Sequence, residues 1–285
     1  MTATTPSSMT PALPTGNPPP LALIHIPKTG GSAVRAALGG NGDLSNGGSR
    51  RRPLCARNIL VWSHHANVKW AFAQNRTPIV TIRDPYARFF SAYEYWRHGS
   101  KMYPRTNRAV HDLSFQRFAD ILGNRSDARH RYAVGIVAGR NVEAQHVSWT
   151  HFLRQTWWIP SAHENQTIFV CYGEGSNADG GRPPTDVLAS TSEALARHGI
   201  KCDITVLRPH SRQRRGTSNA SPQPQAPHFI NPTINKSRNM PAYESLSAGA
   251  RAYLERTYLL DHKLWQRQCA NGDGARGTMG SELQV

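Results

Sequence analysis

The sequence predicts an α/β fold of three layers, with a central parallel sheet flanked by helices. Three observations carry this. Short apolar runs rich in β-branched residues recur along the chain: LALIHI at 21–26, NILVW at 58–62, PIVTI at 78–82 and IFVCY at 168–172. Segments with helical spacing separate them. The runs are apolar throughout rather than alternating, as expected of parallel strands buried on both faces.

In chain order, residues 1–20 are Thr, Ser, Pro and Gly with neither a basic start nor an apolar stretch. They read as a disordered leader and not as a signal peptide. The first strand runs into PKTGGS and then a helix over SAVRAAL, stopped by Gly39 and Gly40. Residues 39–53 form a loop, 58–62 a second strand, and KWAFAQ a short helix. After the third strand, Asp84 suits a helix N-cap and Pro85 the first helical position, so a helix over 85–96 follows. Residues 99–112 are a polar loop, and 113–122 and 129–137 are helical. The strand 168–172 is followed by a loop over 173–186, a helix over 187–198 and a short strand over 204–207. Residues 208–233, basic and then rich in Pro and Gln, read as a mobile loop. Leu246, Ala250, Tyr253, Leu254, Thr257 and Tyr258 fall at helical spacing, which predicts an amphipathic helix over 243–267. Residues 270–285 are a Gly-rich, disordered tail. Alternation of strand and helix argues for a single domain over 21–269.

Composition bounds the function. A chain of 285 residues is long enough to bury a real core. Only 38% of it is apolar, and 23 Gly and 20 Pro call for long loops on that core. Seven Trp, nine Tyr and eight Phe exclude disorder throughout. No apolar run reaches the ~18 residues of a membrane span. Lys and Arg outnumber Asp and Glu by 34 to 18, a net charge of +16 that biases encounters toward anions. Charge alone does not choose among nucleic acid, phosphorylated cofactors, acidic polysaccharide and anionic membrane. Cys55, Cys171, Cys202 and Cys269 lie far apart with no C-x-x-C pair, so buried reduced thiols are expected rather than a zinc site. One pair would bridge if the chain matures in an oxidising lumen.

HIPKTGGS is the most informative segment. A strand, a Gly-rich turn and a helix start together build an anion cradle from backbone N–H groups. Gly30 and Gly31 let the backbone approach a phosphate closely. Lys28 adds a mobile positive charge, and Thr29 and Ser32 add hydroxyl donors. Walker A, by contrast, places its Lys after the second Gly, and no Walker B carboxylate follows a strand here. The second motif is RDPYARFFSAY. Arg83 ends a strand at the open edge of the sheet, where ligands bind. Ser91 lies two turns into the next helix, and a guanidinium and a hydroxyl together can hold a second phosphate. Arg88 reads as a surface salt bridge, and Phe89 and Phe90 as core.

The pair of motifs resembles the two cofactor signatures of sulfotransferases that use 3′-phosphoadenosine 5′-phosphosulfate (PAPS). HIPKTGGS is similar to their 5′-phosphosulfate loop, and R-D-P-x-x-R-x-x-S-x-Y to their 3′-phosphate motif. The wording is closest to the Golgi carbohydrate branch, with its heparan sulfate 2-O- and 6-O-sulfotransferases and bacterial relatives. The resemblance spans residues 21–96 and is traceable at RQTWWI, around INKS and at Tyr258-x-x-Asp261-x-x-Leu264-Trp265. It implies a P-loop-like fold. It also implies that the amides of Thr29, Gly30, Gly31 and Ser32 bind the 5′-phosphosulfate and that Lys28 stabilises the bridging oxygen. Arg83 and Ser91 would bind the 3′-phosphate, and Lys236 and Arg238 in INKSRN would close over the nucleotide.

Sulfuryl transfer to a hydroxyl needs a base for the acceptor proton, and His suits that task. His64 and His65 follow the second strand. In the related enzymes a His after this strand acts as base, which matches His64 best, with His65 as the alternative. His25 is expected beneath the phosphate loop. No metal is required, because backbone dipoles and Lys28 can stabilise the transition state. Arg50, Arg51 and Arg52, and RQRR at 212–215, could grip an anionic acceptor or simply solubilise loops. Sequons at Asn75, Asn124, Asn165, Asn219 and Asn235 matter only if the chain is secreted.

The expected activity is therefore transfer of a sulfuryl group from PAPS to a hydroxyl, on a glycan or on a small metabolite, releasing PAP (3′-phosphoadenosine 5′-phosphate). No specific nucleic acid partner and no membrane span are expected. A P-loop kinase and a non-catalytic polyanion-binding protein are the competing classes. The compartment stays open: cytoplasmic as written, the Golgi lumen if the sequence is a truncated form of an anchored enzyme.

Overall fold

The structure, a computed structural model, describes residues 20–38, 59–62, 66–99, 113–138, 149–172, 186–205 and 240–270. Among them the fold is mixed α/β, built on a four-stranded parallel sheet in the order β2-β1-β3-β4. The strands are β1 (Leu21–Ile24), β2 (Ile59–Trp62), β3 (Thr77–Arg83) and β4 (Ile168–Tyr172). β1 is paired on both sides, Ile24 with Trp62 of β2 and with Val80 of β3, and Arg83 of β3 pairs with Tyr172 of β4. The helices are α1 (Gly31–Ala37), α2 (Val68–Ala73), α3 (Pro85–Gly99), α4 (Phe115–Gly123), α5 (His130–Val137), α6 (Trp149–Phe152), α7 (Val187–Arg197) and α8 (Ala248–Trp265). No described helix is long and apolar enough to cross a membrane.

Alternation along each strand divides the core. Leu21, Leu23, Ile79, Ile168 and Val170 face α1 and α7 through Val34, Leu188 and Leu195. Ala22, Ile24, Val80, Ile82 and Phe169 face the other way, onto α2, Trp158 and the end of α8. Both sheet faces are covered, which is why the strands read as unbroken apolar runs.

A second cluster gathers Phe89, Phe90, Tyr93, Trp96, Phe115, Phe118, Phe152 and Tyr258 from α3, α4, α6 and α8. Its phenols also pin elements together. Tyr93 Oη donates to Leu113 O (2.6 Å), Tyr86 Oη to Pro241 O (2.8 Å) and Tyr258 Oη to Phe152 O (2.7 Å). Burial pushes the Tyr93 phenol up from 10.0 to about 12, and Tyr86 and Tyr258 higher still. A phenol whose folded pKa is raised contributes stability below its unfolded pKa and loses it as pH rises through the folded value. The midpoint of thermal unfolding is therefore expected to stay level up to pH ~9 and to fall steeply between pH ~10 and ~12. The phenolate absorbance of these three buried phenols should rise with unfolding rather than before it.

α4 and α8 cross at a glycine pair. A Cβ on Gly123 would overlap the backbone atoms Gly249 C and Ala250 N. Gly to Ala at an exposed helical position is normally stabilising. Here the obstacle is backbone and cannot rotate away. We expect Gly123→Ala to destabilise by roughly 3 kcal/mol and to lower Tm by about 10 °C, read by calorimetry.

Three sequence expectations change. The C-terminal helix begins at Ala248 rather than 243, because the Ser247 side chain caps it by accepting from Ala250 N; residues Tyr243–Ser245 form a 3₁₀ turn instead. Ile204 is buried but is in no strand, because its amide donates to Ser192 Oγ of α7 (2.9 Å). Finally, Cys171 and Cys269 are not reduced thiols but a disulfide that ties the end of β4 to the turn after α8, and Cys202 is also disulfide-bonded. Such bridges persist in oxidising compartments.

Candidate functional site

All the described strands are parallel, so their C-terminal ends share one edge. From β1 the chain goes to β2 on one side, and from β3 it goes to β4 on the other. The switch falls between β1 and β3. In open parallel sheets the crevice at such a switch is where ligands bind. The HIPKTGGS turn leaves β1 at that point, and Arg83 and Asp84 leave β3 beside it.

The turn is held from below. Thr29 is fully buried, its hydroxyl donating to Ile26 O (2.8 Å) and bonded to Thr81 Oγ1 (2.7 Å). It is thus not the outward hydroxyl donor the sequence suggested; its side chain anchors the turn to β3. Lys28 and Gly30 adopt left-handed backbone angles, φ 68° and 86°. For lysine that conformation is strained, a feature that clusters at functional sites. A Cβ on Gly30 would meet the Tyr172 ring at 2.8 Å, and one on Gly31 the His25 ring at 2.8 Å, so both positions need glycine. His25 does lie beneath the loop, 8% exposed, with Nε2 3.1 Å from the hydroxyl of the exposed Ser32.

The second motif closes onto this turn. Asp84 Oδ1 caps α3 by accepting from Ala87 N (2.8 Å). Arg88 is not a surface salt bridge: it is 1% exposed and donates through Nε to Pro27 O (3.0 Å) and through Nη1 to Leu153 O (2.6 Å). Arg83 Nη1 reaches Lys28 O at 3.5 Å, and its guanidinium lies 5.6 Å from the centre of the Tyr172 ring. The Lys28 ammonium sits 4.1 Å over the Tyr95 ring, whose plane stacks on His151 at 4.7 Å. Arg88, Ser91 and Tyr95 are spaced i, i+3, i+7, one face of α3. Because Arg88 and Tyr95 touch residues 27 and 28, that face meets the loop with Ser91 between them. The structure thus brings Lys28, Thr29, Gly30, Gly31, Ser32 and Arg83 together where β1 and β3 end, and helical spacing puts Ser91 on the face of α3 that carries Arg88 and Tyr95.

A buried polar frame holds Arg83. Gln155 Oε1 accepts from Arg83 N (2.9 Å) and Gln155 Nε2 donates to Arg83 O (2.8 Å), as a neighbouring strand would. Gln155 N and Thr156 N in turn donate to Asp261 (2.7 and 3.0 Å). Burial pushes the Asp261 carboxyl up, while the nearby Arg88 charge and these donors pull it back. Burial likewise pushes Asp84 up, against its Ala87 bond and the charges of His262 and Arg83. Asp84 and Asp261 are therefore both engaged by neighbouring donors, and among the described residues the loop and Arg83 present donors and cations where β1 and β3 end. That donor set fits a polyanionic ligand.

Sequence reasoning missed Gln155, Arg88, Tyr95 and Tyr172 as parts of this site. RQTWWI and Asp261 did stand out in the sequence, but not their link to Arg83. His64, His65, Lys236 and Arg238, with the basic runs at 50–52 and 212–215, lie outside the described residues. Among the described residues no group of three or more His, Cys, Asp or Glu could hold a metal ion. No family model, curated protein or solved structure matches the chain.

Proposed function

We propose that the protein is a PAPS-dependent sulfotransferase that delivers a sulfuryl group to an acceptor hydroxyl, with a glycan as the acceptor class. The observation that carries this reading is the convergence of the two motifs at the β1/β3 switch, with Arg83 Nη1 3.5 Å from Lys28 O. A strand-loop-helix anion cradle beside a second cationic pocket suits a nucleotide with phosphate at both ends of its ribose. The P-loop-like interpretation of the fold rests on that same pairing.

The donor supplies a sulfuryl group activated by its phosphate leaving group. The amides of Thr29, Gly30, Gly31 and Ser32 hold the 5′ end, and Arg83 with Ser91 holds the 3′-phosphate. Lys28 offsets the negative charge that builds on the bridging oxygen as the S–O bond breaks, a group stronger in the transition state than in the ground state. A new S–O bond forms to the acceptor oxygen in line, and its proton passes to a base. His64 is the proposed base, with His65 as the alternative. This chemistry calls on no metal among the groups named.

The test is incubation with PAPS labelled in the sulfuryl group, across acidic and neutral glycans and small alcohols. Labelled glycan is the expected product. Label appearing only on small alcohols would move the acceptor class. Transfer from ATP with magnesium and none from PAPS would favour the kinase reading.

A further inference from the structure

Ser32 Oγ has a hydrogen-bond partner in the His25 ring. His25 follows β1 directly, and its ring lies under the turn, against the face of Gly31 where a Cβ would stand 2.8 Å from His25 Cδ2. Only a residue without a side chain at 31 lets the ring reach Ser32, where Nε2 stands 3.1 Å from Oγ. Ser32 itself is exposed on the outer side of the turn.

A hydroxyl has one proton and two lone pairs. If His25 Nε2 is bare, it takes the Ser32 proton, and the hydroxyl turns only lone pairs outward, which repels an anion. If Nε2 carries a proton, it donates into a Ser32 lone pair, and the Ser32 proton is free to point out of the loop. We propose that His25 is a positioning residue that holds its proton on Nε2 and so turns Ser32 into an outward donor for the anion in the loop. This deepens the nucleotide-binding proposal and rests on it. His25 need not touch the ligand; it acts through Ser32.

A double-mutant cycle on PAP affinity, read by titration calorimetry, tests it. Ser32→Ala and His25→Leu should each weaken PAP about tenfold, the scale of one hydrogen bond to a charged group. In the Ser32→Ala background, His25→Leu should add less than about twofold. His25→Gln, which can place an amide N–H near Nε2, should retain affinity within about threefold. In the unmodified protein, nitrogen NMR of His25 with PAP bound should show a protonated Nε2, a readout that survives even if a variant fails to fold. An equal His25→Leu loss with and without the Ser32 hydroxyl, or a bare Nε2 with PAP bound, overturns the proposal. The same cycle run with inorganic pyrophosphate separates the two ideas. Coupling with pyrophosphate but no binding of PAP overturns the nucleotide reading alone; PAP binding without coupling overturns the His25 role alone.

Discussion

Lys28→Ala is expected to lower turnover by roughly a hundred- to a thousandfold, while PAP affinity falls by less than about tenfold. The split follows from when the ammonium matters. In the ground state it is one of several positive groups at the crevice, beside Arg83 and the loop amides. As the bridging S–O bond breaks, it is the group proposed to face the developing charge. Alanine is the right probe because it carries a Cβ, as lysine does. The left-handed backbone at position 28, φ 68°, is therefore equally strained before and after the change. The Tyr95 ring under the ammonium loses a contact of about 1 kcal/mol, too little to account for the expected loss. Single-turnover kinetics with saturating PAPS read the effect. A turnover loss matched by an equal loss of PAP affinity would make Lys28 a binding residue only.

Arg83→Ala is expected to weaken PAP by about ten- to a hundredfold, the range for a charge-assisted bond to phosphate. Adenosine 5′-phosphosulfate, which lacks the 3′-phosphate, should bind the variant within about twofold of the unmodified protein. The backbone at 83 should survive the change, because Gln155 holds both its N–H and its C=O through its own side chain. The guanidinium alone is removed. Comparing the two nucleotides by calorimetry therefore isolates the 3′ contact. Equal weakening of both would assign Arg83 to scaffolding.

Much of this arrangement was legible in the sequence because it is local. Strand runs such as PIVTI, the Asp84-Pro85 helix start and the Gly30-Gly31 turn each state their conformation within a few residues. Placing both motifs at strand ends followed from those signals, and the parallel sheet brought the ends to one edge. What was not legible depends on residues distant in sequence. Arg88 looks like any helical arginine until Pro27 and Leu153 present their carbonyls to it. Thr29 looks like a ligand donor until Thr81, on the neighbouring strand, claims its hydroxyl. Gln155 becomes a substitute strand neighbour for Arg83 only because Asp261, more than a hundred residues on, fixes its backbone. The Cys171–Cys269 bridge spans 98 residues and follows no spacing rule. Ile204 falls in no strand, because a serine side chain supplies its hydrogen bond, while residues 206–207 of that expected strand lie outside the described residues.

The most direct measurement is titration calorimetry of the unmodified chain with PAP, with 5′-AMP, with adenosine 3′-phosphate and with ATP plus magnesium. Two anion sites on adjacent strand ends, bridged by one nucleotide, require that PAP bind at one molecule per chain and at least about tenfold more tightly than either monophosphate. PAP binding no better than the monophosphates, or ATP with magnesium binding more tightly than PAP, would contradict it.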